Sequence, residues 1–563
     1  ARHRLHVDIS DDENLLLRSE SWILKNLKMM KTRIYAAAAV LMSCASCSMD
    51  EIVYSDMTAG EYYANFSESD VPAAIGKLYS DLRLLYCGND VHKEGCWYYT
   101  NEEMADLWVT PKRGGSWYDG GIYYRLNQHR WEWTDAHVLN NWRKAYRCIN
   151  DCNRLIYEFT NAGLASEVEM MSEIRVARAF WYWVLCDMYG NVPIQTKYDV
   201  PDNFLPETSS RQEVFDFMVS ELQESIPHLL AKAYGRWDSF AAKCLLAKCY
   251  LNAASWGVTV EGNAWDKVAE LCDEIISSGK YSLEADYKAS FVTENQNSSE
   301  IIMAVCNDET YDDSEPFRIH LWTMHWKYCY HANTVTQYWG GCCATPEFAM
   351  SYDPDDLRYG KSWFEGQLYD NTGVYTGKPG SLLYCDPWDS RDKGKPLCHT
   401  KEVPLFEGDA IPTTGEASGV RMQKYEIRTG ALNRLSNDFV LFRYADVLFM
   451  KAEALYWKNG GVATQDCCDL INSVRKRAFT TFTDDKKVTM AQLDDDRFLQ
   501  EYAWEFCQEG LRRQQLIRFG QFLTKEWFLH EPTNDTDRLL FPIPREEMLA
   551  NPNLKQNLGY PKL

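Results

Sequence analysis

The chain has 563 residues, with 59 Lys and Arg against 81 Asp and Glu and a formal net charge of −22. That balance excludes a nucleic-acid binder, because no basic face remains to neutralise phosphates, and it argues against docking by charge on anionic lipid. Apolar residues at 45% and charged residues at 25% are ordinary for a globular protein; the excess is aromatic, with 20 Trp and 34 Tyr.

Residues 1–28 are polar and mixed in charge, and read as a disordered upstream segment of doubtful origin. Met29-Met30-Lys31-Thr32-Arg33 then leads into the apolar run Ile34–Met42 and into Ser43-Cys44-Ala45-Ser46-Cys47. A basic start, a short apolar run and small residues at its end mark an export signal, placed here at 29–46. The run is too short to span a bilayer, which takes about 20 apolar residues. Of the 19 cysteines, Cys44 and Cys47 belong to this signal. No CxxC pair repeats at zinc spacing. Cys148, Cys152, Cys186, Cys244, Cys249, Cys272 and Cys507 fall inside helical patterns and are expected as buried thiols. The adjacent pairs Cys342-Cys343 and Cys467-Cys468 could each link elsewhere.

Between Tyr86 and Trp142 lie twelve Trp or Tyr, about twice the density of the whole chain. Gly114, Gly115, Gly120 and Gly121 mark irregular backbone among them. Helices follow. Trp142, Tyr146, Ile149 and Ile156 step along one face of 137–160. Ala177, Phe180, Trp181, Val184 and Leu185 do the same from Glu173, until Gly190 and Pro193 end the helix. Further helices are expected at Val214–Leu230, Ser239–Ala254 and Trp265–Ser277. A long insertion, about 285–435, comes next. Helices at Phe439–Trp457, Cys467–Ala478 and Leu493–Phe519 complete the set. Antiparallel pairs with small residues at their contacts suggest tetratricopeptide-like units.

The residue order adds to this. Arg178-Ala179-Phe180-Trp181-Tyr182 with Asp187, Gly190, Val192 and Pro193 resembles the signature helix of the SusD/RagB family of glycan-binding outer-membrane lipoproteins. Arg443-Tyr444-Ala445-Asp446-Val447-Leu448 with Lys451-Ala452-Glu453-Ala454 is similar to a second family helix, and Ile471–Ala478 to a third. Glu501, Trp504-Glu505-Phe506, Glu509-Gly510, Arg512 and Leu516-Ile517-Arg518 resemble a fourth. There Gln515 and Tyr502 replace the usual Asp and Arg, which puts one family ion pair in question. Phe541-Pro542-Ile543-Pro544 and Asn551–Tyr560 match the family tail. The resemblance implies a mostly all-α fold: a SusD-like scaffold of TPR-like helix pairs, about 137–280 and 439–520, within one domain over 47–563. It places ligand-facing loops at about 86–135 and 285–435. It also implies lipidation at Cys47, with Cys44 as the alternative, a lipid-anchored and surface-exposed place on the outer membrane, and a SusC-like TonB-dependent transporter as partner.

Charges inside apolar helical faces need partners, because an unpaired buried charge costs several kcal/mol by order of magnitude. Arg178, Asp187, Arg443, Asp446, Glu453, Arg475 and Glu505 are therefore read as structural ion pairs. The aromatic loops are read as the binding surface for an oligosaccharide or polysaccharide: flat rings cover the C–H face of a sugar, and polar neighbours bond its hydroxyls. The residues chosen are Trp97, Tyr98 and Asn101 in the first region, and Trp322, Trp326 and Tyr328 in the second. His320, His325 and His331 fit no helical ligand pair. The run Asp308-Glu309-Thr310-Tyr311-Asp312-Asp313 could take Ca²⁺ but lacks the EF-hand glycine and terminal Glu, and reads as a solvated loop. No catalytic residue, metal or cofactor is expected. No Ser nucleophile elbow, HExxH helix or P-loop occurs. The alternatives are a RagB-like peptide-binding lipoprotein and, behind it, a glycosidase.

Overall fold

The computed structural model describes residues 70–86, 95–164, 166, 168–201, 203–310, 317–335, 337–386 and 389–563. The expected upstream segment, export signal and lipidation cysteine lie outside these residues, as do Tyr311, Asp312 and Asp313 of the acidic run 308–313. No helix among the described residues is long and apolar enough to cross a membrane.

The scaffold is a succession of packed helices. Ala136–Asn161 packs on Val168–Met188, which packs on Arg211–Ser225. Ser239–Trp256 packs on Ala264–Ser277. Ala264–Ser277 then packs on Tyr444–Lys458, and that helix on Gln465–Arg475. The insertion of more than 150 residues thus interrupts the succession in sequence but not in space. Local chemistry sets the ends. Ser210 and Glu213 form a reciprocal capping box, and Asp238 accepts from the backbone N–H groups of Phe240 and Ala241. Gly190 lies at φ 72, and a Cβ there would come within 2.8 Å of Leu540, so only glycine ends Val168–Met188 this way.

Two expected helices are corrected. Phe439–Arg443 is a strand, antiparallel to Ile301–Val305, and the helix starts at Tyr444. Five buried residues in a row, FVLFR, suit a strand covered on both faces. The expected helix Leu493–Phe519 breaks into Asp495–Phe506 and Arg512–Arg518. Gln508 at φ 64 and Gly510 at φ 74 turn the chain between them.

The buried charges sit in pairs. Arg178 bonds Glu221 and Asn153, Asp187 bonds Arg513, and Lys248 bonds Asp446. Arg475 bonds Glu501. Glu453 is held by Arg518 and accepts from the Tyr502 hydroxyl, so the residue that replaces the usual Arg still bonds a carboxylate. The densest cluster surrounds Arg443, which bonds Glu300, Glu505 and Glu509. Arg477 bonds Glu300 and Glu505, Arg358 bonds Glu505 and Asp356, and Lys424 bonds Glu509. These ties join the start of the insertion and the strand Phe439–Arg443 to the turn at Glu509-Gly510.

Sixteen cysteines among the described residues are free thiols; Cys306 is exposed, Cys398 is intermediate and the rest are buried. Burial raises the thiols of Cys244 and Cys249, and so suppresses the reactive thiolate there. Brief iodoacetamide treatment of the native protein is therefore expected to label Cys306 and then Cys398 ahead of the other fourteen, read by peptide mass spectrometry. Early labelling of Cys244 or Cys249 would contradict this packing.

Candidate functional site

The two aromatic regions meet. Trp108–Val109 pairs antiparallel with Cys343–Ala344, and Lys112–Arg113 pairs parallel with Thr413–Thr414. Beneath the junction the Arg113 guanidinium is fully buried and donates to the carbonyls of Gly341, Gly415 and Ser418. Arg421, also buried, donates to the carbonyls of Thr323, Cys342 and Glu416. Burial, then the neighbouring Arg113, pulls Arg421 down to about 9. These two side chains stitch the loops together through backbone oxygens.

Most of the rings chosen from sequence form that junction and do not face solvent. Trp97–Glu103 is a short helix buried along its whole length. Trp97, 4% exposed, lies against Trp183 and Gly510. Tyr98 contacts Trp108, Trp322 and Phe439, and Trp322 is 0% exposed. The Asn101 amide donates to the Trp97 carbonyl of its own helix. Tyr328, 8% exposed, packs on Tyr338 and Phe364. As ligand-facing residues Trp97, Tyr98, Asn101, Trp322 and Tyr328 are thus corrected: their apolar surface is already covered by protein, which leaves no ring face for a sugar. Of the six, Trp326 alone reaches solvent.

Two buried acids sit in the same helix. Burial pushes Glu102 up to about 7 and Glu103 up to about 8, against the hydrogen bonds each accepts from Gly510 and Thr110. Both folded values exceed the unfolded one, so their stabilisation is complete below about pH 4.5. It falls by up to about 1.4 kcal/mol per pH unit for each group as pH rises, and is gone above the folded values. Urea midpoints are expected to drop between pH 5 and 8, with a shallower drop in Glu103→Gln. An equal slope in both proteins would contradict the assignment.

The surface above the junction carries other rings. Trp117 sits at φ 65, in the left-handed region that a bulky residue seldom adopts. The loop around it is tightly wound, with Gly114, Asp119, Gly120 and Gly121 also at positive φ. Its indole N–H donates to the Trp339 carbonyl at 3.1 Å. Its ring lies so close over Gly341 that a Cβ there would fall 2.4 Å from it. Strain of this kind persists where surrounding structure imposes it, and it clusters at ligand clamps. Trp339, half-buried, lines a groove of about 450 Å³ with Arg318, Leu321, Gln337, Asn433 and Arg434. One aromatic face, apolar Leu321 and Val335, and amide and guanidinium donors converge there, and among the described residues none that lines the groove is a carboxylate. Glycoside hydrolysis needs two.

Trp117 and Trp339 belong to the two aromatic stretches, but density alone did not separate them from the core rings. The separating signal is glycine. Trp117 lies between the pairs Gly114-Gly115 and Gly120-Gly121, and Trp339 precedes the pair Gly340-Gly341, whereas Trp97 has only the single Gly95 before it and Trp322 has no glycine nearby.

The three histidines part ways. His331 accepts from the Tyr369 N–H, and His320 packs on Tyr338. His325 joins Glu416 at 3.0 Å, with Asp386 close enough to complete a metal-ligand set. Here the Lys327 N–H donates to His325 Nδ1, so Nε2 carries the proton toward Glu416. Burial holds His325 well below its usual value and hence neutral. The Lys327 ammonium meets Asp386 at 2.8 Å, and supplies the cation this group calls for.

Comparison with known proteins agrees with this fold. Residues 299–560 match the SusD family model, and residues 91–251 match a SusD-like model described as starch-binding and associating with outer membrane. The chain is 26% identical over 435 residues to the starch-binding protein SusD of Bacteroides thetaiotaomicron, covering 70% of this chain and 74% of that one. It is 24% identical over 558 residues to SusD-like protein P25 of Formosa agariphila, covering 92% and 98%. A SusD superfamily protein from Parabacteroides distasonis superposes with a TM-score of 0.66 at 20% identity, over 88% of this chain and 100% of that one. Surface glycan-binding protein A from Bacteroides thetaiotaomicron, solved with laminarihexaose, gives 0.65 at 20% identity, over 87% and 100%. With both halves of the chain matched and the helical scaffold shared, this protein belongs to the SusD family.

Proposed function

We propose that the protein binds an oligosaccharide or polysaccharide, without turning it over, in the groove lined by Trp339, next to the Trp117 loop. In this reading it is held by a lipid at Cys47 on the outer face of the outer membrane, and it passes the glycan to a SusC-like TonB-dependent transporter. The observation that carries the reading is the strained Trp117 loop, clamped onto Trp339 beside a groove that offers one ring face and several neutral or cationic donors. Relatives support it: one is named starch-binding, one solved neighbour is described as laminarin-binding, and another holds laminarihexaose.

The test is calorimetry with oligosaccharides drawn from a glycan array. Trp339→Ala and Trp117→Ala are each expected to cost about 1–3 kcal/mol of binding, with melting temperatures close to wild type for Trp339→Ala. Unchanged affinity in both variants would remove the groove as the site, and release of reducing ends on incubation would replace binding by catalysis.

A further inference from the structure

A second group of surface rings shares no residue with the groove. Trp326 and Tyr330 come from the segment around the short helix Tyr328–Ala332, and Tyr375 from the loop that joins the paired strands Tyr369–Asp370 and Ser381–Leu382. Trp326 stands nearly upright to both tyrosines, 5.8 Å from Tyr375 at 80° and 6.3 Å from Tyr330 at 77°. The tyrosines lie 5.1 Å apart at 33°. All three reach solvent, Tyr375 with 45% of its surface.

This corner is built from beneath. The Asp370 carboxylate accepts from the N–H groups of Gly373, Tyr375 and Thr376 and from the hydroxyls of Thr372 and Thr376, which ties the loop that carries Tyr375 into one conformation. Burial opposes its charge, but those bonds outweigh burial and hold it at about 2. The Lys327 ammonium, 3% exposed, sits 5.1 Å from the Trp326 ring and 4.9 Å from the Tyr375 ring while paired with Asp386. Lys327 is thereby paired within the fold, and the Asp370 carboxylate is occupied by backbone and threonine donors. What the surface presents is three rings and the hydroxyls of Tyr330 and Tyr375, a chemistry suited to an uncharged polyol with an apolar C–H face.

We propose that the Trp326–Tyr330–Tyr375 corner is a second carbohydrate contact, taking one or two sugar rings of a polysaccharide whose other residues occupy the Trp339 groove. It rests on the glycan reading of that groove. Two weak contacts on one polymer raise its affinity by effective concentration, whereas a chain too short to reach both gains nothing.

The experiment is affinity electrophoresis of the folded chain in gels containing laminarin or soluble starch, alongside calorimetry with laminarihexaose and maltohexaose. Trp326→Ala and Tyr375→Ala are expected to weaken retardation by the polymer about five-fold or more and to leave hexasaccharide affinity unchanged. Trp339→Ala is expected to weaken both. Retardation of Trp326→Ala and Tyr375→Ala equal to wild type overturns the second contact and leaves the groove standing. Loss of hexasaccharide binding in Trp326→Ala also overturns it, since the corner would then be part of one site. Wild type unretarded in both gels counts against the glycan reading of both surfaces. Normal retardation in Trp326→Ala with lost capture of a membrane protein would make the corner a protein contact and refute the proposal.

Discussion

Arg443→Met is expected to remove about 3–5 kcal/mol of stability, the usual effect of stranding buried charges by deleting one partner. Arg443 bonds three carboxylates, and its side chain is 1% exposed. Without it, Arg477 and Arg358 remain for Glu505 and Lys424 for Glu509, so four carboxylates share three cations in a region closed to water. Burial alone would raise Glu505, but Arg477, Arg443 and Arg358 hold it well below the usual carboxylate range; removing one of the three lets burial prevail. Total stability of a domain is about 5–15 kcal/mol, so the variant loses a large share of it. Arg443→Lys recovers only part, because one ammonium cannot match the forked contacts to Glu505 and Glu509. Urea unfolding measures both. A loss under about 1 kcal/mol for Arg443→Met would mean that the cluster is solvated and not a structural lock.

Trp322→Ala is expected to cost a further distinct sum, about 3–5 kcal/mol, by opening a cavity in the packed junction of the two loop regions. Trp322 has no exposed surface and touches Tyr98 and Tyr99, the latter edge-on at 5.0 Å. The same change at Trp339 leaves the core intact. The two tryptophans therefore separate by readout: Trp322→Ala lowers the urea midpoint, and, although Leu321 beside it lines the groove, glycan affinity of the molecules that remain folded falls less than in Trp339→Ala. Trp339→Ala does the reverse. A Trp322→Ala protein with normal stability and no glycan binding would restore that ring to the ligand site.

The helical scaffold was legible because it rests on local signals. Periodic faces, capping residues and terminal glycines place Ala136–Asn161, Val168–Met188 and Ser239–Trp256 within a few residues of expectation. The two misread segments share a cause. In FVLFRYADVL an apolar run reads equally as strand or helix, and pairing with Ile301–Val305, more than 130 residues away, decides it. At 507–511 the break depends on Trp97 packing against Gly510, another long-range contact.

The proposed site falls within the two loop regions that the sequence marks, but not on the residues chosen there. Aromatic density drew attention to 86–142 and 320–339, and strands and buried arginines do bring these together. Which rings face water depends on packing between the two stretches, which aromatic density does not encode. Trp97 and Trp322 form the inner layer of the junction; Trp117 and Trp339, beside their glycine pairs, form the outer one.

The most direct measurement is a crystal structure of the chain soaked or grown with an oligosaccharide that the array selects. A sugar ring stacked on Trp339 beside Trp117, with its hydroxyls bonded by the Arg318, Gln337 or Arg434 side chains, is the expected result. Well-defined sugar density on a different face, with this groove empty at saturating ligand, would contradict it.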